Sequence, residues 1–251
     1  MTIIKIFLIR QLTILRYVNG FEYLWSLIGF PRSVCKVKIG KEQIYVRRHT
    51  LDLYIAATSL QGEFRPIGKI FDEQFSGTIV DAGGYIGTAA LALSNLYPNA
   101  KIISLEPSEE NYALLEMNTA RAKNIVPIKA ALVSTNNKNS TLSDRGTGQC
   151  GYTLVESPLD RDISRLHEVA VLNLLSEEIH YESIDFLKCD IEGAECDILE
   201  YDCQYLTKIP YIFIELHDRI DDRCSPLFEK FSVDRHTILA GKEKFLSIKG
   251  N

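Results

Sequence analysis

The stretch TIVDAGGYIGTAALAL, residues 78–93, runs from a β-branched strand through a glycine cluster into an apolar helix. That order restricts the fold more than any other part of the chain, because a strand that turns straight into a helix needs further strands to return to. The chain supplies them. KIISLE, VPIKAALV, IDFLKCD and YIFIELH read as buried strands, and helices over 86–96, SEENYALLEMNTARAK and AECDILEY fall between them. Ser108 stands where a helix N-cap belongs, with Glu109 and Glu110 in the first turn. Strand–helix alternation of this length implies an α/β domain with a mainly parallel sheet, helices on both faces, and a site at the carboxyl ends of the strands. The tail HTILAGKEKFLSI reads as two strands turning near Gly241, which adds an antiparallel hairpin at one edge.

Residues 1–70 read as a separate cap layer ahead of a main domain over 71–251. VCKVKIG and QIYVRR form a hairpin around Gly40, a helix follows over about 52–60, and Pro66 and Gly68 mark the passage. At the N-terminus, MTIIKIFLIRQLTILRYV is interrupted by Lys5, Arg10 and Arg16. It falls short of the ~18–20 apolar residues a membrane span needs, and it lacks the pattern of a cleaved signal. A helix with Ile3, Ile6, Phe7, Ile14, Leu15 and Val18 partly on one side is expected to pack on the domain. Peripheral membrane contact through that helix is the alternative. Residues 134–180 read as polar, irregular loop material.

The 251 residues carry a formal net charge of −5, which disfavours a nucleic-acid partner. Six cysteines (Cys35, Cys150, Cys189, Cys196, Cys203, Cys224) include no C-x-x-C pair. They are expected to be reduced, mostly buried thiols of a cytoplasmic protein. His49, His167, His180 and His236 join no constellation and read as structural or surface residues.

The glycine turn after the first parallel strand is where an open α/β sheet holds a nucleotide-like ligand. AGGYIGT does not supply the G-x-G-x-x-G of a dinucleotide enzyme, whereas Asp81, Gly83 and Gly87 fit a looser D-x-G-x-x-x-G. With Gly84 and Tyr85 they form the expected cofactor turn. A carboxylate there suits a cationic ligand such as S-adenosylmethionine and would repel the phosphates of NAD. Glu106 ends the second strand, 19 residues after Gly87, where a carboxylate accepts both ribose hydroxyls of an adenosine.

VDAGGYIG, SLEPSEENYALLEMN, IVPIKAALV, DFLKCDIEGAE and FIELH stand in the order and approximate spacing of FkbM-type S-adenosylmethionine-dependent methyltransferases. The resemblance covers about residues 45–217 and includes RRHTLDLYIAATSLQGEF ahead of the core. It implies a Rossmann-like methyltransferase fold with a seven-stranded sheet, S-adenosylmethionine as cofactor, and O-methylation of sugars or secondary metabolites, many of them in polysaccharide pathways. One position departs: the family usually carries asparagine where this chain has Tyr85. Asparagine tolerates the left-handed backbone and tyrosine does so poorly. Either the turn differs locally, or Tyr85 bears strain while its ring contacts cofactor or substrate.

Asp190, Glu192 and Glu195 stand at a strand end and the start of a helix, and Glu215 and His217 end the neighbouring strand. Methyl transfer to oxygen mainly requires alignment of the acceptor and removal of its proton. His217 or Glu192 is the expected base, with Asp190 orienting the acceptor or the cofactor's amine. No metal site is assigned, although a carboxylate–histidine group of this kind could hold Mg²⁺. The leading expectation is an O-methyltransferase acting on a glycan or a related hydroxylated metabolite. An NAD-linked oxidoreductase and a non-catalytic methyltransferase-like scaffold are the alternatives.

Overall fold

A computed structural model of the chain describes residues 3–72, 74–137, 139–155 and 164–250. Two helices, α1 (Ile3–Tyr17) and α2 (Gly20–Leu27), come first. The hairpin β1 (Val34–Ile39) and β2 (Glu42–Arg47) and then helix α3 (Asp52–Thr58) follow, as the turn at Gly40 and the pattern after it predict. A π turn over Ser59–Glu63 extends α3. The α/β part runs β3 (Thr78–Ala82), α4 (Thr88–Leu96), β4 (Lys101–Leu105), α5 (Glu109–Thr119) and β5 (Ile125–Ile128). A run of short strands follows: β6 (Ala131–Leu132), β7 (Thr141–Asp144), β8 (Tyr152–Thr153), β9 (Ser164–Glu168) and β10 (Val171–Leu172). The chain then returns to the main sheet with β11 (Phe186–Cys189), α6 (Glu195–Tyr201), α7 (Cys203–Leu206), β12 (Tyr211–Glu215), α8 (Cys224–Phe231), β13 (Arg235–Leu239) and β14 (Lys244–Lys249).

The seven strands lie in the order β13-β14-β12-β11-β3-β4-β5. Those from β12 to β5 are parallel, and the C-terminal pair is antiparallel. Strand order reverses between β3 and β11, the switch point at which such sheets hold ligands. Residues alternate across the sheet. Ile79 and Phe186 join one core with Leu93 of α4 and Ile44 and Val46 of β2. Val80 and Leu187 join the other with Ile198 of α6 and Phe228 of α8. Asn118 of α5 closes the first core polarly: it accepts from the Tyr45 amide at 2.7 Å and donates to the carbonyls of Tyr45 and Ile86.

Four expectations are corrected. VPIKAALV is not one strand: Ala130 donates back to the Ile128 carbonyl, and β6 beyond that turn pairs with β10 instead. The loop region holds a three-stranded antiparallel sheet, β8-β7-β9, which buries Leu142 and Leu154. The cysteines are not all reduced. Cys196 of α6 and Cys224 of α8 form a disulfide, their Cα atoms 4.7 Å apart because the two helices pack together. Cysteine usage therefore no longer argues for a reducing compartment. In α1, Ile14 and Val18 are buried while Phe7 and Leu15 are exposed, and Ile6 is half-buried. The Ile3 side chain lies outside the described residues.

Candidate active site

Ser104, Asp81 and Lys188 stand side by side across β4, β3 and β11, because the parallel register aligns them. Asp81 is fully buried. It accepts from the Ser104 hydroxyl at 2.7 Å and pairs with the Lys188 ammonium at 3.1 Å. Lys188 also donates to the carbonyls of Ala82 and Gly83, at 3.2 and 2.7 Å. Burial alone would lower its pKa, but Asp81 and Asp190 outweigh burial and hold it charged. The expectation that Asp81 meets a cationic cofactor is thus corrected. Its charge is neutralised inside the protein, and it fixes the lysine that braces the glycine turn.

The turn itself permits no side chain at Gly83. A Cβ there would lie 1.8 Å from the Asp190 carbonyl oxygen, and φ is +82°. Gly87, at φ +84°, caps α4 in the left-handed region. Gly84 donates to the Leu105 carbonyl at 2.7 Å, which draws the turn against β4. Glu106 sits at the end of β4. It accepts from the amides of Tyr85 and Ser108, both at 2.9 Å, and from the Asn111 side chain at 3.3 Å. Burial pushes its carboxyl up to about 7, against the pull of those hydrogen bonds.

Tyr85 has φ +50°, so the turn keeps the left-handed geometry that asparagine would favour. Its hydroxyl donates to Asp52, which is fully buried and also accepts from Arg47 Nε at 2.9 Å. The Arg47 guanidinium lies over the Tyr85 ring, 5.5 Å from its centroid, and donates to Asn111 at 2.8 Å. The ring therefore ties β2 and the start of α3 to the glycine turn. Left-handed strain costs about 1–2 kcal/mol, whereas a hydrogen bond to a charged group contributes about 1.5–3 kcal/mol and the buried ring adds to that. Tyr85→Asn is accordingly expected to lower the melting temperature, and Tyr85→Phe to lower it less. A Tyr85→Asn protein more stable than wild type would show that strain outweighs the ring's contacts.

Beyond β11, Glu192 (φ +51°) and Gly193 (φ +102°) make a sharp bend that α6 follows. Glu195 pins the bend by accepting from the amides of Ile191 and Gly193, both at 2.7 Å. It also accepts from His217 Nδ1 at 2.9 Å. His217 Nε2 lies 3.7 Å from Asp190 and 3.6 Å from Glu192. Burial would lower the pKa of this imidazole, but Glu195 and then Glu192 and Asp190 raise it to about 11. A ring already protonated cannot take a proton, and His217 is absent from the cavity wall, neither of which suits the expected role as base. Asp190 and Glu192 do face the cavity. Burial would raise the Asp190 pKa, but Lys188, Lys244 and His217 pull it below the usual value. Glu192 accepts from Arg219 at 2.7 Å. Asp190, Glu192 and His217 each offer one atom within 4.8 Å of the others, a spacing compatible with a metal ion.

The cavity these residues share measures about 810 Å³ and opens along the carboxyl ends of β3, β4 and β11, within the usual ligand-pocket range. Its wall includes Gly83, Gly84, Tyr85 and Glu106 at the glycine turn and the end of β4, and Glu63, Arg65, Glu215, Lys242 and Lys244 elsewhere. Lys244 pairs with Glu63 and, at 2.8 Å, with Glu215. Gln149, Tyr152 and Thr153 come from the segment read as loop. The Gln149 side-chain nitrogen is buried with no hydrogen-bond partner among the described residues.

This strand order, with a glycine turn and a buried acid at the ends of adjacent central strands, defines the Rossmann-like methyltransferase class. A family model described as the Methyltransferase FkbM domain matches residues 81–237, and the chain belongs to that family. A curated relative, "Methyltransferase 1" of Beauveria bassiana (strain ARSEF 2860), is 27% identical over 165 residues. The match spans 57% of this chain and 66% of that protein, just under two thirds of the relative's length. Precorrin-6y C5,15-methyltransferase from Geobacter metallireducens GS-15 shares 11% identity at a TM-score of 0.43, over 82% of this chain and 92% of its own. Aeropyrum pernix fibrillarin, solved with natively bound S-adenosyl-L-methionine, shares 11% at 0.42, over 88% and 85%. At those TM-scores the likeness adds nothing to what the strand order defines.

Proposed function

We propose that the protein is an S-adenosylmethionine-dependent O-methyltransferase acting on a hydroxyl of a sugar, a polysaccharide or a related hydroxylated metabolite. The observation that carries this reading is the pair Asp190 and Glu192 on the wall of a cavity that also contains the glycine turn and Glu106. The residues fit an adenosine cofactor. Gly83 and Gly84 bring bare backbone to the cavity wall, Glu106 offers a carboxylate to two ribose hydroxyls, and the Gln149 side chain offers a buried amide donor without a partner among the described residues. Bound there, S-adenosylmethionine supplies an electrophilic methyl on a sulfonium that is already a good leaving group.

The protein's remaining tasks are to align the acceptor and hold its proton. Asp190, kept ionised by Lys188, suits the cofactor's ammonium. Glu192 takes the proton of the acceptor hydroxyl at its carboxylate, and His217 with Glu195 holds the bend that presents it. A wall rich in Glu63, Arg65, Glu215, Lys242 and Lys244 favours a hydroxylated acceptor over an apolar one. A second reading places a divalent cation such as Mg²⁺ among Asp190, Glu192 and His217. It requires the His217 proton to leave first, and Mg²⁺ prefers oxygen ligands.

Incubation with methyl-labelled S-adenosylmethionine and a panel of glycans and hydroxylated metabolites is expected to label an acceptor oxygen, with chelator present. Loss of transfer on chelation and its return with Mg²⁺ would favour the second reading. Labelled nitrogen or carbon would overturn the O-methylation reading. Tight cofactor binding without transfer to any acceptor would favour the non-catalytic scaffold.

A further inference from the structure

Helices α1 and α2 carry large apolar side chains that the fold leaves uncovered. Ile14 of α1 and Val18 just past its end are buried in the domain, whereas Leu8, Leu12 and Leu15 are 53%, 68% and 49% exposed. At about 100° per residue those three leucines fall within about 60° of one another. Lys5 and Arg16, both exposed, flank them. In α2 and just beyond it, Phe21, Leu24, Trp25, Ile28 and Phe30 are exposed as well. So many large apolar residues in one short segment mark an interaction surface rather than ordinary solvent exposure.

Charge distinguishes the occupant. The first 41 residues hold seven Lys or Arg and one Glu, a net +6 in a chain whose total is −5, so the remainder carries −11. A second copy of the chain would bring two such cationic segments together. An anionic bilayer meets both features: its headgroups neutralise the basic residues, and leucine and aromatic side chains enter the acyl boundary. The 15 residues of α1 extend about 22 Å, short of the ~30 Å hydrocarbon core. Among the described residues no helix is long and apolar enough to cross a membrane.

We propose that α1 and α2 dock the protein onto an anionic membrane surface, lying in the plane of the interface. The surface goes beyond the catalytic reading and stands without it. Helix α1 also lends Thr13, Arg16 and Tyr17 to the cavity wall, so docking sets the bilayer beside the site.

Co-sedimentation of the full chain with vesicles tests this. The protein is expected to sediment with vesicles of equal parts phosphatidylcholine and phosphatidylglycerol, and about tenfold less with phosphatidylcholine alone. Raising salt from about 0.1 M to about 1 M, which shortens the Debye length from about 10 Å to about 3 Å, is expected to weaken binding. The variant Leu8→Ser/Leu12→Ser/Leu15→Ser is expected to lose at least about tenfold. None of the three leucines lines the cavity, so an unchanged melting temperature shows that the variant folds. Wild-type protein left in the supernatant with anionic vesicles would overturn the proposal, as would a triple variant that sediments like wild type. A concentration-dependent dimer abolished by the triple variant, with no vesicle binding, would assign the face to a second copy and overturn it too.

Discussion

Replacing Glu192 by glutamine is expected to slow methyl transfer by about 10²–10⁴-fold, the usual contribution of a positioned base, and to leave cofactor affinity almost unchanged. The amide keeps the shape and the Arg219 contact but cannot take the acceptor's proton. Transfer at the wild-type rate in Glu192→Gln would remove Glu192 from the chemistry. The pH profile separates it from His217. With Glu195 2.9 Å from Nδ1 and two more carboxylates near Nε2, the ring is held protonated to about pH 11. A histidine base with its ordinary value of 6.5 would make the rate rise through that pH as the ring loses its proton. At saturating cofactor no such rise is expected here. His217→Ala would leave Asp190, Glu192 and Glu195 facing one another without their shared cation, so it should impair both stability and rate. An inflection near 6.5 that vanishes in His217→Ala would restore the imidazole as base.

The same cluster shows what sequence can and cannot carry. The core strands were legible because buried parallel strands read as short apolar runs, and the glycine turn because Gly83 and Gly87 stand where the backbone is left-handed and closely packed. The left-handed position at Tyr85 was visible as well, since an asparagine normally stands there. What its ring does was not, because Asp52, at the start of α3, lies 33 residues away in the chain and meets the ring only in the fold. Asp81 reads as a cofactor residue in the sequence because its partner there is not apparent. Lys188, two residues before Asp190, falls opposite Asp81 only once the β3–β11 register is known. Alternation in LKCD puts Lys188 and Asp190 on one face, which was the available signal. His217 reads as a base in the sequence for a related reason. Its protonation depends on Glu195, which the chain places one turn past Glu192 and which folds back beneath the bend. The region over 134–180 lacks long periodic runs, so its small sheet and its contribution of Gln149, Tyr152 and Thr153 to the cavity come from pairing across distant residues. The disulfide could not be read from spacing, because Cys196 and Cys224 are 28 residues apart on two helices that meet only in the fold.

Cofactor binding at Glu106 is expected to show a second large effect. A carboxylate must be ionised to accept two ribose hydroxyls, and this one sits at about 7 because of burial. Below that pH the ligand has to expel a proton first, so affinity should rise by about tenfold per pH unit between about pH 5 and 7 and level off above. Glu106→Ala is expected to weaken binding by about 10–100-fold at pH 8, the equivalent of losing hydrogen bonds to a charged group worth about 1.5–3 kcal/mol. Glu106→Gln leaves one acceptor oxygen for the amides of Tyr85 and Ser108, which the carboxylate serves with two, and should bind weakly with no pH dependence in that range.

Calorimetric titration of the purified chain with S-adenosylhomocysteine across that pH range, alongside NAD, tests the central assignment most directly. The account predicts one binding site for S-adenosylhomocysteine whose affinity climbs to a plateau near pH 7, a flat and weakened response in Glu106→Gln, and no heat with NAD. Binding of NAD instead, no binding of S-adenosylhomocysteine, or an affinity indifferent both to pH and to Glu106 would contradict it.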